Sequence, residues 1–268
     1  MSLIDRILAL LRGADRRSAT RATPGLRTRG LPDSSNHASS MHLHWLLPAG
    51  SSQAGPVVEV AATLEVLVPP AVDRLYFWAL QASFIDAAGI QHGAAHLGLQ
   101  WHPDHPGNTA ANWGGYHHGG GELSGTGSPL PSARGNPNTR DFHWDPSRPY
   151  RLTIRRGDDG LWAGLVDDIE IRRLQVPGAK LDRVMVWSEV FARCDEPSVT
   201  VRWSGFQART ESGAVLRPDR LRVTFQSHAQ GGCDNTNVRA TAAGVLQVTN
   251  VPRDLRPEAV IPAGPVGP

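Results

Sequence analysis

The run LYFWALQASF (Leu75–Phe84) alternates along its length. Tyr76, Trp78, Leu80, Ala82 and Phe84 form a wholly apolar phase, and the complementary phase carries Gln81 and Ser83. Period two over this length marks a β-strand with one buried face. The rhythm recurs in AHLGLQWH (Ala95–His102), YRLTIRR (Tyr150–Arg156), LWAGLVDD (Leu161–Asp168), RVMVWSEVF (Arg183–Phe191), SVTVRWSGF (Ser198–Phe206) and LRVTFQS (Leu221–Ser227). Val57–Val68 and Thr241–Val251 add to the set. Gly, Pro, Asn or Asp bounds each run, as strand ends require. No helical stripe of ten residues interrupts Met41–Val251, which excludes parallel α/β architectures. About eleven short strands predict one all-β domain over residues 41–251, an antiparallel β-sandwich of jelly-roll or concanavalin-like type.

The flanks read differently. Leu3, Ile4, Ile7, Leu8, Leu10 and Leu11 fall on one helical stripe, so residues 1–13 are expected to form a short amphipathic helix. Residues 14–40 are rich in Arg, Ser and Thr and read as a flexible linker, and the Pro-rich 252–268 as a mobile tail. Such a helix either packs on its own domain or docks, through residues 2–12, on a protein or membrane surface. Its apolar stretch is too short for a secretory signal, so a cytoplasmic location is expected. No apolar run is long enough for a transmembrane span.

Of 268 residues 40% are hydrophobic and 19% charged, with net charge +2. The first 30 residues hold seven Arg against Asp5 and Asp15, which leaves the body acidic. Nucleic-acid binding is therefore not expected. Lys180, the only lysine, lies outside any P-loop, and Gly-x-Ser-x-Gly, Cys-x-x-Cys and His-Glu-x-x-His are all missing. No cofactor is expected. Cys194 and Cys233 form at most one disulfide, and their number fits a reducing compartment equally well.

Three enrichments point to a site. Seven of the eleven histidines fall between His92 and His143, and His96, His102 and His105 are the candidates for a metal. Eight tryptophans include Trp101 and Trp113, each beside an amide or imidazole residue, a pairing that suits stacking on a sugar ring; core packing is the alternative. Phase separates Leu97, Leu99 and Trp101 from His96, Gly98, Gln100 and His102. The polar face so defined, with Gln81, Asn112 and Tyr116 added, is the expected binding surface, completed by Arg140 and by residues 119–139 as a lid. Glu189 shares its phase with Met185, Trp187 and Phe191. Burial among them would raise its pKa, as in a general acid, with Glu122 as a second carboxylate for glycan cleavage; a carboxylate satisfied by an arginine such as Arg140 or Arg202 is the alternative.

YFWALQASF, HLGLQWHP, NWGGY, GNPNTRDFHW, MVWSEVFARCD and GGCDNTNV resemble an uncharacterised actinobacterial protein family. More distantly, the order of an aromatic strand, Gly-Leu-Gln, Gly-Glu-Leu-Ser-Gly and Trp-Ser-Glu-Val-Phe is similar to a bacterial β-sandwich domain of unknown function. The likeness covers residues 57–240. The distant relatives occur beside carbohydrate-related modules, so the resemblance implies glycan recognition by association only, and it carries over no catalytic residue. The expected function is carbohydrate binding on the polar-aromatic face. Glycan cleavage in the same cleft, or docking through the N-terminal helix, are the alternatives.

Overall fold

The structure is a computed structural model and describes residues 25–264. Its strands are β1 (Ser39–Leu46), β2 (Val57–Val68), β3 (Tyr76–Ile85), β4 (Gln91–Trp101), β5 (Thr109–His117) and β6 (Ser124–Gly125). Next come β7 (Thr139–Asp141), β8 (Pro149–Arg156), β9 (Trp162–Val166), β10 (Ile169–Gln175), β11 (Lys180–Val190) and β12 (Thr200–Thr210). The last five are β13 (Val215–Leu216), β14 (Arg220–Phe225), β15 (Thr236–Thr241), β16 (Gly244–Thr249) and β17 (Val260–Pro262). They form two antiparallel sheets. Sheet A runs β17-β14-β1-β11-β3-β4-β5-β7, and sheet B runs β15-β16-β12-β2-β8-β9-β10-β6 with β13 beside β12. The only helical elements among the described residues are three single 3-10 turns. No described helix is long and apolar enough to cross a membrane.

One apolar cluster fills the space between the sheets. Tyr76, Trp78, Leu80, Ala82 and Phe84 of β3 all belong to it, together with the inner phases of the other long strands. Trp78, Trp113, Trp144, Trp162 and Trp203 are buried to within 1%. Trp113 owes its place to Gly164, whose missing side chain would have stood 2.5 Å from the indole. Within this core lies one fully satisfied polar centre, Gln247 on β16. Its Oε1 accepts from Ser188 Oγ at 2.6 Å and Trp203 Nε1 at 2.9 Å, and its Nε2 donates to the Met41 carbonyl at 2.9 Å. Ser188 and Met41 belong to sheet A and Trp203 to sheet B, so one amide ties the two layers together.

Two expectations at the flanks change, and a third is not tested. The expected helix at residues 1–13 lies outside the described residues. Residues 25–40, expected as part of the linker, are held to the body: Arg27 N donates to Asp234 at 2.7 Å, Gly30 N to Asp195 at 3.0 Å and Asp33 N to the Gly231 carbonyl at 2.9 Å. Backbone hydrogen bonds order this apolar-poor segment, and they leave no hydrophobic pattern to read. In the tail, β17 pairs with β14 and buries Ile261 and Ala263. Both flanking segments meet the body near the Cys194–Cys233 disulfide, which closes a sequence separation of 39 residues.

Replacing Gln247 with Leu strands the Ser188 and Trp203 donors and the Met41 carbonyl. A loss of about 2–4 kcal/mol is expected, read as a lower urea midpoint at unchanged slope. The Cys194→Ser/Cys233→Ser double variant should lose about 3–4 kcal/mol in the same assay.

Candidate functional site

The register of sheet A assembles an outer face that no single strand displays. One row across the sheet reads Gln226, Ser40, Glu189, Phe77, Gln100, Ala110, Asp141. The next reads Thr224, His42, Trp187, Ala79, Gly98, Asn112, Thr139, and the third Arg222, His44, Met185, Gln81, His96, Gly114. Phe77, Ala79 and Trp187, with Met185 packed against them, form an apolar cluster separate from the main core. The Trp187 ring meets Phe77 edge-on at 5.0 Å and His96 at 5.7 Å, and His42 lies 6.4 Å from it. Its Nε1 donates to Gln81 Oε1 at 3.0 Å. Phe77 and Trp187 are nearly covered although they face away from the core, so this is a recessed floor.

Glu189 stands on that floor. Burial raises its pKa to about 7, against which the hydrogen bond from Asn36 Nδ2 at 3.0 Å acts only in part. Burial also lowers His42 to about 3, with His44 adding to the effect, and His96 to about 4. His44 is lowered to about 4 by burial and then by Arg222. The three imidazoles of this face are therefore neutral at every pH above about 5.

The sequence-predicted residues divide. Gln81, Gln100, Asn112 and Tyr116 lie on the outer face, and Gln100 Oε1 and Asn112 Oδ1 are buried without a partner. Tyr116 has its hydroxyl pKa raised by burial, then by the charges of Glu122 and Glu189. Trp113 is core, not a stacking platform, its Nε1 donating to the Trp162 carbonyl at 3.1 Å. Trp101 turns inward as well and donates to the Val72 carbonyl at 3.0 Å. Arg140 pairs with Ala111 on the inner phase at the sandwich edge, beside Arg172, and so faces away from the floor. Glu122 is exposed on the turn after β5 and accepts from Asn138 at 3.2 Å. β3 and β4 separate its strand from that of Glu189, so the register does not pair the two carboxylates.

His102 lies beyond the end of β4, six residues from His96 or about 20 Å along a strand, too far to share a metal with it. His102 meets His105 edge-on at 4.8 Å, and His105 Nδ1 bonds Asp141 at 2.5 Å. No group of three or more His, Cys, Asp or Glu among the described residues is arranged for a metal. The 119–139 segment is not a lid. Its β6 joins sheet B through β10 and its end joins sheet A as β7, so it straps the sandwich edge. Sequence reasoning missed His42, His44 and Asn36. The alternation in MHLHW carried the signal for the two histidines, whereas Asn36 lies in a turn without periodicity.

A β-sandwich with a recessed polar-aromatic sheet face is the class these observations define. No family model and no curated relative matches the chain. Among solved structures it is similar to scytalido-glutamic peptidase bound to a peptide-based transition-state analogue (9% identity, TM-score 0.41, covering 79% of this chain and 98% of that one). SCP-B, a member of the eqolisin family of peptidases in complex with the tripeptide Ala-Ile-His, gives 10% identity, TM-score 0.41 and the same coverage. A native glycosidic hydrolase gives 9% identity and TM-score 0.30 over 65% of this chain and 76% of that one. At these values the overlays assign no chemistry to this chain.

Because Glu189 titrates higher in the folded state, its contribution to stability is complete below its ordinary range and lost as pH rises through about 7. Glu189→Gln should therefore stabilise the protein at pH 8, on the order of 2 kcal/mol after allowance for its partly open edge. Carbon-13 NMR of the Glu189 carboxyl should show a midpoint near 7; an ordinary carboxylate midpoint would mean that water reaches the floor freely.

Proposed function

We propose that the outer face of sheet A binds an uncharged polyhydroxylated ligand, a segment of a carbohydrate chain, centred on Glu189. The supporting observation is the charge pattern of the floor. Between Arg222 on β14 and Asp141 on β7, Glu189 is the only residue in the three rows that charges near neutrality. Neutral imidazoles and amides beside aromatic rings offer hydrogen bonds and C–H contacts without attracting an anion. Gln81, His96, His42 and the Glu189 carboxyl are the polar contacts of this reading, and Trp187 and Phe77 its apolar ground.

A second reading, cleavage of the bound chain, has one observation in its favour. A carboxyl held protonated up to about pH 7, with only Asn36 hydrogen-bonded to it among the described residues, is equipped as a general acid. The base would then be a neutral imidazole, His42 or His96, in place of Glu122. The Cys194–Cys233 disulfide favours an oxidising compartment over the expected cytoplasm.

A glycan array probed with the whole chain, beside Gln81→Ala and His96→Ala, tests the binding reading. Retention of one glycan class, weakened about tenfold or more in each variant, supports it. A blank array, or variants that bind as the parent does, rejects it. Glu189→Gln separates the two readings on a panel of glycans and unfolded polypeptides. Turnover that falls by at least about a hundredfold while binding persists identifies an acid catalyst, and the absence of turnover in the parent leaves a binding protein.

A further inference from the structure

The outer face of sheet B is built on different chemistry. Its rows run Ser204, Thr63, Arg151; then Gln207, Ala61, Thr153, Leu165; then Arg209, Glu59, Arg155, Ala163. β13 pairs Leu216 with Ala208 and Val215 with Arg209, which sets Arg217 beside Gln207 at the end of the middle row. The centre of that middle row is small, Ala61 and Thr153, with Arg151 on one flank and Arg155 and Arg209 on the other. A shallow trough bordered by four guanidinium groups results.

Arg151 is held in place rather than free. A bulge in β12 between Ser204 and Gln207, with Gly205 at φ +60°, turns the Gly205 carbonyl toward Arg151 Nη1 at 3.4 Å. Gln207 Oε1 accepts from Arg151 Nη2 at 3.2 Å. Both partners are neutral, and no carboxylate among the described residues pairs with this half-buried cation. Burial holds Arg151 below its ordinary range; Glu59 opposes this, and Arg209 and Arg217 add to it. Glu59 is the acid of the trough and contacts Arg209 at 3.5 Å, while Asp167 is taken by Arg148 at 3.0 Å and by the Arg151 backbone. Arg155 and Arg217 are exposed and make no ion pair among the described residues.

We infer that this trough is a binding site for a doubly charged tetrahedral oxyanion, a phosphate or sulfate group, received by Arg151, Arg155, Arg209 and Arg217. Four cations around one glutamate leave an excess of three positive charges, of which a dianion offsets two. Guanidinium groups on two flanks and one end present N–H donors to several oxygens at once. The site is independent of the glycan face, because the whole sandwich lies between them.

Calorimetric titration of the whole chain with sodium phosphate and sodium sulfate at low ionic strength tests this, with sodium chloride at matched ionic strength as reference. One saturable site is expected, weakened by added salt. Arg151→Gln should reduce affinity about tenfold or more. The Arg155→Gln/Arg217→Gln pair changes only exposed side chains and should lower affinity similarly with unchanged thermal stability. Glu189→Gln should bind phosphate as the parent does, which keeps this outcome separate from that of the glycan face. Phenyl phosphate binding as tightly as inorganic phosphate assigns the site to an ester-borne group, and weaker binding assigns it to the free ion. Heats equal to those of chloride, or full affinity in the Arg155/Arg217 variant, overturn the inference.

Discussion

The Gln247 amide, buried to 1%, holds donors and acceptors of two sheets at hydrogen-bond distance inside an otherwise apolar core. Apolar packing alone tolerates sliding of one layer over the other, since dispersion and burial are non-directional. A buried amide does not, because a shift of one residue would leave three polar groups unpaired in a low-dielectric interior. The amide thus fixes how β1 and β11 lie over β12 and β16. Through β11 it also fixes the position of Ser188, whose chain neighbours Trp187 and Glu189 point to the opposite face.

That adjacency links stability to function. Alternation along β11 sends Ser188 into the core and Trp187 and Glu189 to the outer floor, so the inner clamp positions the outer site. The floor is recessed enough to keep three imidazoles neutral and one carboxyl protonated near neutrality. The far side of the molecule does the reverse: sheet B exposes arginines to water, so the two outer faces differ in charge.

Much of this was legible in the chain. The phases of Leu75–Phe84 and Ala95–His102 predicted which side chains face the core and placed Gln81, His96 and Gln100 on the other side. The apolar company of Glu189 offered a raised pKa beside an arginine-paired alternative, and the structure decides for the former because Arg202 is taken by Glu65. The errors have two origins. Tryptophan was weighed as a sugar platform at Trp101 and Trp113, but both stand on inner phases, where an indole is worth more as core than as surface. Arg140 and residues 119–139 lie off the binding face, and a loop gives no phase from which to judge that direction.

By itself, then, the sequence determined most of the long strands, their inner and outer phases and the all-β class, because period-two burial is a local property of the chain. Only the tertiary structure decided which strands are neighbours. The rows that bring His42 beside Trp187, or Arg217 beside Gln207, join residues more than a hundred positions apart or depend on a hairpin register. Strand order, bulges and cross-sheet hydrogen bonds set those rows, and a single strand's alternation contains none of that information.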